Sequence, residues 1–344
     1  MRRSTITDVA NEAGVSIKTV SRVARQEPNV SEKTRVKVQA VMDRLSYRPT
    51  MAARSTVSAR SFLLGMIFDN PNPAYTVDLL RGALGTAREN AYHMIVEPVD
   101  GDGDGLVDEV RNLVIQSNLE GLIVPPPLCD RPDLIALLIE LGRPFARIAP
   151  SENIGMGFDI AMDDRAAARA MTEHLISLGH RKIAFIKGRA GTATTKKRLD
   201  GFCDAINSIG QELPDSYFQQ GNFSLKSGLE CGEALLRLDD PPTAIFASND
   251  EMAAGVLMAA HKLDMSVPDD LSVAGFDDSA TATAMWPPLT TIRQPVGELA
   301  SHAASCLINH QRENAGKPAR GEEELDFALI ERQSTGPVPK EASR

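Results

Sequence analysis

The sequence predicts an all-α helix-turn-helix headpiece followed by an α/β core of two doubly wound subdomains. Three observations lead there. In the first sixty residues, short amphipathic helical segments with capping residues are separated by a glycine and a proline. From Phe62 onward, short apolar runs alternate with longer amphipathic stretches, the pattern of parallel sheets covered by helices on both faces. Charge is also unevenly divided. Residues 1–60 hold 12 Lys+Arg against 5 Asp+Glu and the remainder 25 against 41, in a chain of 344 residues with net charge −9. A basic end on an acidic protein marks where a polyanion would dock.

The headpiece reads as three helices. Thr5 or Thr7 caps the first, which runs to Ala13 with Ile6, Val9 and Ala10 on one face. Gly14 supplies the turn. Ser16 caps a second helix to about Ala24 that buries Val20 and Val23. Beyond Pro28, Ser31 caps a third helix near 32–45 with Glu32 in its first turn and an apolar stripe of Val36, Ala40, Val41 and Leu45. Two short helices across a glycine turn, closed by a third, form the plan whose second helix enters the major groove. Lys18 and Arg22 are suited to donating to guanine edges there, and Ile17 to packing on a thymine methyl. Ser16, Thr19 and Ser21 suit phosphate contacts, which position the helix without reading sequence. Residues 50–60, TMAARSTVSAR, favour helix but are too short to be stable alone. They are a candidate switch that orders only with DNA and a second subunit.

In the core, FLLGMIF, HMIVEPV, GLIVPPP and PFARIA read as strands, with helices at 75–90, 106–118 and 132–141 between them. Further strands are expected at 159–163, 182–187, 243–247 and 271–276, followed or separated by helices at 164–178, 195–209, 227–238 and 250–262. Open α/β sheets bind ligands beyond the carboxyl ends of their strands. Asn249, Asp277 and Arg198 fall at or just after such ends, a donor and acceptor set suited to hydroxyl-rich ligands. Asn72 and Tyr75, in D-N-P-N-P-A-Y, follow the first strand.

The run T-I-T-D-V-A-N-E-A-G-V-S-I-K-T-V-S-R-V, then N-V-S-E-K-T-R-V-K-V and L-S-Y-R-P, resembles the headpiece of the lactose-repressor (LacI/GalR) family from Thr5 to Pro49. In the core, EHLISLGHRKIAFIKG, RLDGF, PTAIFASNDEMAAGVL, DLSVAGFDD and PPLTTIRQP resemble that family's periplasmic-binding-protein-like portion. The resemblance implies base reading at Ile17, Lys18 and Arg22. It extends the DNA-facing set to Thr5, Asn29, Ser31, Thr34 and Tyr47, and in the hinge to Met51, Ala53, Arg54 and Thr56. Family members wedge a hinge leucine into the minor groove. Thr56 stands at the matching position, so either Met51 or Val57 supplies the apolar contact or hinge insertion is weak. Effector contacts are implied at Arg198, Asn249, Asp277 and Thr194, with Phe223 as an apolar cover and Arg147 near the carboxyl end of another strand. An arginine at 147 would favour an acidic ligand or pair with an acid of the cleft.

These readings divide the chain into a headpiece (1–49), a hinge (50–60), a core (61–335) and a tail (336–344). One subdomain is expected to take 61–160 plus 290–320 and the other 161–289 plus 321–335, the chain crossing between them several times. The acidic segment D-G-D-G-D-G at 100–105 begins like a calcium loop, but its twelfth position is Arg111 rather than glutamate. The glycine fingerprint of dinucleotide binding is incomplete, because residue 106 is leucine. Four scattered cysteines give no metal or disulfide framework. No run reaches the roughly 18–20 apolar residues of a membrane span, and the N-terminus lacks the apolar stretch of a signal peptide. The expectation is a cytoplasmic, homodimeric, DNA-binding repressor. It would be controlled by a small-molecule effector, a sugar first among candidates, and would have neither enzymatic activity, cofactor, metal nor membrane partner.

Overall fold

A computed structural model describes residues 4–24, 30–47, 60–69, 72–151, 154–313 and 319–339. The chain divides into two compact units, one ending at Phe62 and the other starting at Leu63.

In the first unit, α1 (Ile6–Ala13), α2 (Ile17–Ala24) and α3 (Glu32–Arg44) surround a small apolar core. Thr5 and Asp8 form a reciprocal capping box at the start of α1, and Gly14 ends that helix with φ of 61°. The Ser16 hydroxyl accepts from the Thr19 amide at 3.1 Å, and that of Ser31 from the Thr34 amide at 3.4 Å. Val9, Ala13, Val20, Val23, Val38, Val41 and Met42 fill the core. The face of α3 is rotated from the expected one: Val38 and Met42 point inward, whereas Val36 is 60% exposed and Ala40 is also exposed. Val38, Val41, Met42 and Leu45 follow the i, i+3, i+4, i+7 spacing of a single helical stripe, which Val36 and Ala40 do not share.

The core begins with β1 (Leu63–Phe68), α4 (Pro73–Glu89), β2 (His93–Pro98), α5 (Leu106–Gln116), β3 (Gly121–Val124), α6 (Pro132–Glu140), β4 (Phe145–Ile148) and β5 (Phe158–Ala161). It continues through α7 (Asp164–Ser177), β6 (Ile183–Lys187), α8 (Ala193–Ser208), β7 (Phe218–Gln220), α9 (Leu225–Leu236), β8 (Ala244–Ala247), α10 (Asp250–Lys262) and β9 (Ser272–Ala274). The last elements are α11 (Ala280–Ala284), β10 (Thr291–Arg293), α12 (Val296–Glu313), β11 (Gly321–Glu324) and β12 (Ala328–Ile330).

Two sheets result, both wholly parallel in their pairings. The first has the order β11-β5-β4-β3-β1-β2 and the second β7-β6-β8-β9. Their strands read as continuous apolar runs because both faces are covered. In β6, Ile183 and Phe185 join one buried cluster with Phe202, Phe246 and Phe276. Ala184 and Ile186 join another with Ile245, Val256 and Val273. The two-residue period thus divides one apolar strand between two cores.

The chain crosses between the sheets as expected of its last third, but with different borders. Helix α12 packs on α4 and on β3–β5 of the first sheet. Strand β10 stays with the second subdomain, pairing antiparallel with β12 and bridging to Ala274 and Asp277 through Thr290 and Arg293. Strand β11 pairs in parallel with β5, so residues 321–324 lie in the first sheet rather than with the second subdomain. The exposed run Gly321–Glu324, GEEE, carries no apolar strand signal. Its place is set by the open edge of β5 and not by its own composition.

Candidate functional site

In the headpiece, the first turn of α2 is the most exposed part of that helix. Ile17 is 49% exposed, Lys18 is exposed, and Ser21 and Arg22 are half-buried. That turn contains no acidic residue, and Arg22 lies in the last turn. The helix therefore offers its N-terminal amides and a basic flank to an anion. Thr5, Ser16 and Ser31 are exposed at the starts of α1, α2 and α3, with Thr34 half-buried one turn into α3. Their hydroxyls already cap helices: Ser16 also meets the Thr19 hydroxyl at 2.9 Å, and Ser31 that of Thr34 at 2.9 Å. Tyr47 lies further inside than the other expected DNA-facing residues among those described. It is 5% exposed and packed in the three-helix core, and burial raises its phenol pKa. Its ring is chiefly a packing element. Asn29, Met51, Ala53, Arg54 and Thr56 lie outside the described residues, as does Val57.

In the core, a cavity opens between the carboxyl ends of the two sheets. Seven of the eight expected contact residues line it: Asn72, Tyr75, Thr194, Arg198, Phe223, Asn249 and Asp277. The first sheet contributes through Asn72, which caps α4 by accepting from the amides of Ala74 and Tyr75 at 3.0 and 3.3 Å. The Asn72 amide also reaches across to Asp277 Oδ2 at 3.3 Å. Gln294, just beyond β10, donates to the other Asp277 oxygen at 2.5 Å. Burial and the nearby Asp250 push the Asp277 carboxyl well above the usual range, against the lowering effect of Arg198 and the Gln294 bond. Burial, then the charges of Asp164 and Asp277, likewise raise the Tyr75 phenol.

Arg198 is 4% exposed. Its Nε donates to Asp164 Oδ1 at 2.8 Å, its Nη1 to the Ser248 carbonyl at 2.6 Å, and the guanidinium lies 3.7 Å from the centre of the Phe276 ring. Hydrogen-bonded through two of its nitrogens to different partners and stacked on a ring, the planar guanidinium makes a set of contacts that lysine would not reproduce. Asn249 Oδ1 caps α10 through the Met252 amide at 3.0 Å, while its Nδ2 donates to the Phe223 carbonyl at 3.0 Å. Three lining residues hold positive-φ backbone: Ala149 at φ 52°, Phe223 at φ 67° and Asp277 at φ 129°. Such conformations cost on the order of 1–3 kcal/mol and persist where surroundings enforce them, commonly at binding sites. Gly188 is required beside them, since a Cβ there would lie 2.0 Å from the Phe223 ring and 2.6 Å from the Thr195 hydroxyl.

The eighth expected residue, Arg147, is outside the cavity. It is fully buried and paired with Asp159 through Nε–Oδ1 at 2.7 Å and Nη2–Oδ2 at 2.9 Å, with Nη1 donating to the Cys129 carbonyl at 3.3 Å. Its charge is met inside the first subdomain by the neighbouring strand β5. Conversely, Asp69, Pro126, Pro127, Ala149, Arg189, Thr192 and Gln294 line the cavity without having been expected to. Asp69 and Arg189 had a readable signal, since each follows a strand by one or two residues. Gln294 lies one residue beyond β10, a strand too short to show a periodicity, within the P-P-L-T-T-I-R-Q-P run. Asp250 turns inward to accept from Thr291 Oγ1 at 2.7 Å and the Ser279 amide at 2.8 Å. Burial pushes its pKa up to about 7. Among the described residues no group of three or more His, Cys, Asp or Glu could hold a metal ion, and no helix is long and apolar enough to cross a membrane.

Residues 5–50 match the profile described as bacterial regulatory proteins, lacI family, and residues 172–335 that of a periplasmic binding protein-like domain. The HTH-type transcriptional regulator DegA of Bacillus subtilis (strain 168) is 33% identical over 98% of this chain and 99% of its own length. The ribose operon repressor of Escherichia coli (strain K12) is 32% identical over 89% and 92%. The Lac repressor dimer bound to operator and the anti-inducer ONPF superposes with a TM-score of 0.80 at 28% identity, covering 97% of this chain and 100% of that one. With a helix-turn-helix headpiece and a two-sheet, cleft-bearing core matched along nearly the whole length, the chain belongs to the lacI family of bacterial regulatory proteins and is a DNA-binding transcriptional regulator, not an enzyme.

Proposed function

We propose that this regulator is a homodimeric repressor whose operator affinity is set by a neutral, hydroxyl-rich metabolite, a sugar first, bound in the cavity between the two sheets. One observation carries the ligand class: both arginines lining the cavity are already committed to carboxylates, while Asp277 is bonded only by amides. Arg198 is held by Asp164, and Arg189 by Asp69 and Asp102. Asp277 meets Asn72 and Gln294. A ligand carboxylate or phosphate would find no uncommitted cation and would add an anion to an enclosed site. Hydroxyl groups instead match the remaining lone pairs of Asp277 and the hydroxyl of Thr194, with Phe223 and Tyr75 covering an apolar ring face. Sugar control also agrees with the name of the ribose operon repressor among the relatives.

In the headpiece we assign base reading to Ile17, Lys18 and Arg22, and phosphate positioning to Thr5, Ser16, Thr19, Ser21, Ser31 and Thr34. The dimer agrees with the Lac repressor dimer seen on its operator. Coupling requires the ligand to bind the DNA-competent and DNA-incompetent states unequally. A thermal-shift series with neutral sugars and nucleosides alongside sugar acids and sugar phosphates tests the ligand class. A neutral sugar at about 100-fold its Kd stabilises the chain by roughly 2.7 kcal/mol. Stabilisation by sugar phosphates or sugar acids alone contradicts the assignment.

A further inference from the structure

The acidic loop D-G-D-G-D-G meets a residue that lines the same cavity, Arg189. It joins β2 to α5 in the first subdomain, whereas Arg189 follows β6 in the second. Arg189 Nη2 meets Asp102 Oδ2 at 2.6 Å, and its Nη1 meets Asp69 Oδ2, just beyond β1, at 3.2 Å. One guanidinium therefore joins two carboxylates across the cleft. The loop is braced to present Asp102. The Asp102 amide donates to Asp100 Oδ1 at 3.1 Å, the Gly103 amide to the Asp100 carbonyl at 3.1 Å, and Arg131 to the Gly101 carbonyl. Arg131 is itself gripped by both oxygens of Asp133.

Exposure decreases inward along the contact, from 82% for the Asp102 side chain to 30% for Arg189 and 27% for Asp69. The outer pair is open to salt and the inner pair is partly shielded. Two further contacts span the cleft without a charge pair: Asn72 to Asp277, and Lys197 Nζ to the Pro150 carbonyl at 3.1 Å.

We propose that Asp69, Asp102 and Arg189 form an ionic clasp that holds the two subdomains together at the edge of the cavity. Admission and release of a ligand then depend on ionic strength. The clasp gives the acidic loop a role as the outer jaw of the cleft. Its regulatory meaning rests on the cavity being the effector site, but its existence is testable without a ligand.

Hydrogen exchange of the ligand-free full chain reads it directly, in segments 99–106 and 188–195, with helix α9 as internal reference. Raising salt from about 0.01 M to about 1 M shrinks the Debye length from roughly 30 to 3 Å and should speed exchange severalfold in both segments while α9 is unchanged. R189Q and D102N should each loosen both segments, D69N more than D102N, and R189K should restore part of the protection. The R189Q/D102N double variant should exchange no faster than R189Q. If each substitution loosens only its own segment, or the effects of R189Q and D102N simply add, the clasp is overturned. A failure of the effector reading is separately visible, as a clasp that behaves as described in a chain that metabolites do not stabilise.

Discussion

The headpiece and the cleft use charge in opposite ways. At the start of α2, Ile17 and Lys18 stand exposed, and no acidic side chain lies in that turn. In the cleft, Arg198 and Asp164 are almost fully buried and satisfied by each other, the Ser248 carbonyl and the Phe276 ring. The difference follows from the partner. DNA brings its own charge and ordered counterions, so an exposed cation gains by replacing those ions. The neutral ligand we propose would bring only hydroxyl groups, so the charges around it must be neutralised within the protein before it arrives. Substitutions in the cleft should therefore be felt first as stability, and those on α2 as selectivity.

The largest effect is expected at Arg198. Arg198→Ala strands Asp164 in the interior and should cost about 3–5 kcal/mol in urea unfolding, with loss of any ligand-induced thermal shift. Arg147→Met strands Asp159 and should cost a comparable amount while the thermal shift survives in what remains folded. Equal loss of ligand response in both variants would erase the distinction between the cleft arginine and the structural one.

Next is the pH dependence centred on Asp250. Burial raises this carboxyl from 3.8 to about 7, so between those values the folded chain holds a proton that the unfolded chain has lost. The Asp250 contribution to stability therefore falls as pH rises from about 4 to about 7 and is flat above. Asp250→Asn keeps an acceptor for the Ser279 amide and a partner for Thr291, and should flatten that part of the urea-midpoint profile. An unchanged slope would contradict it.

A smaller effect belongs to Gly188. Gly188→Ala places a methyl against the Phe223 ring and should cost roughly 1–3 kcal/mol of overpacking, together with weaker ligand stabilisation and unaltered DNA selectivity. The smallest is Ser31→Ala, which removes the α3 cap, for about 1 kcal/mol. It should weaken DNA binding uniformly across sequences and leave ligand-induced shifts of the core intact.

Much of the architecture was legible because local signals agree with the tertiary result. Thr5, Gly14, Ser16 and Ser31 cap or end helices where their chemistry implies. The apolar runs at β1, β3, β6 and β8 are buried on both faces. What was not legible depended on partners distant in sequence. The three-residue strands β7, β10 and β12 are too short for a period to emerge. The acidic β11 is a strand because β5 has an open edge, and α12 was expected only as a crossing segment. In the cleft, Asn72, Arg198, Phe223, Asn249 and Asp277 were anticipated from strand ends and family resemblance. Arg147 was misplaced because a strand-terminal arginine looks the same from the sequence whether it faces the cleft or pairs with the adjacent strand, as it does with Asp159. Tyr47 packs in the three-helix core, which its place beside a basic segment did not signal.

The most direct measurement is selection of DNA from a random pool by the full chain, followed by comparison of selected and scrambled duplexes by anisotropy. The wild type should recover a pseudo-palindromic sequence and bind it with an affinity that falls steeply with salt. Lys18→Ala with Arg22→Ala should lose discrimination by about 1–3 kcal/mol per base contact removed, with the unfolding transition of the core unmoved. A double variant that still prefers the selected sequence as strongly as the wild type would show that α2 does not read the bases.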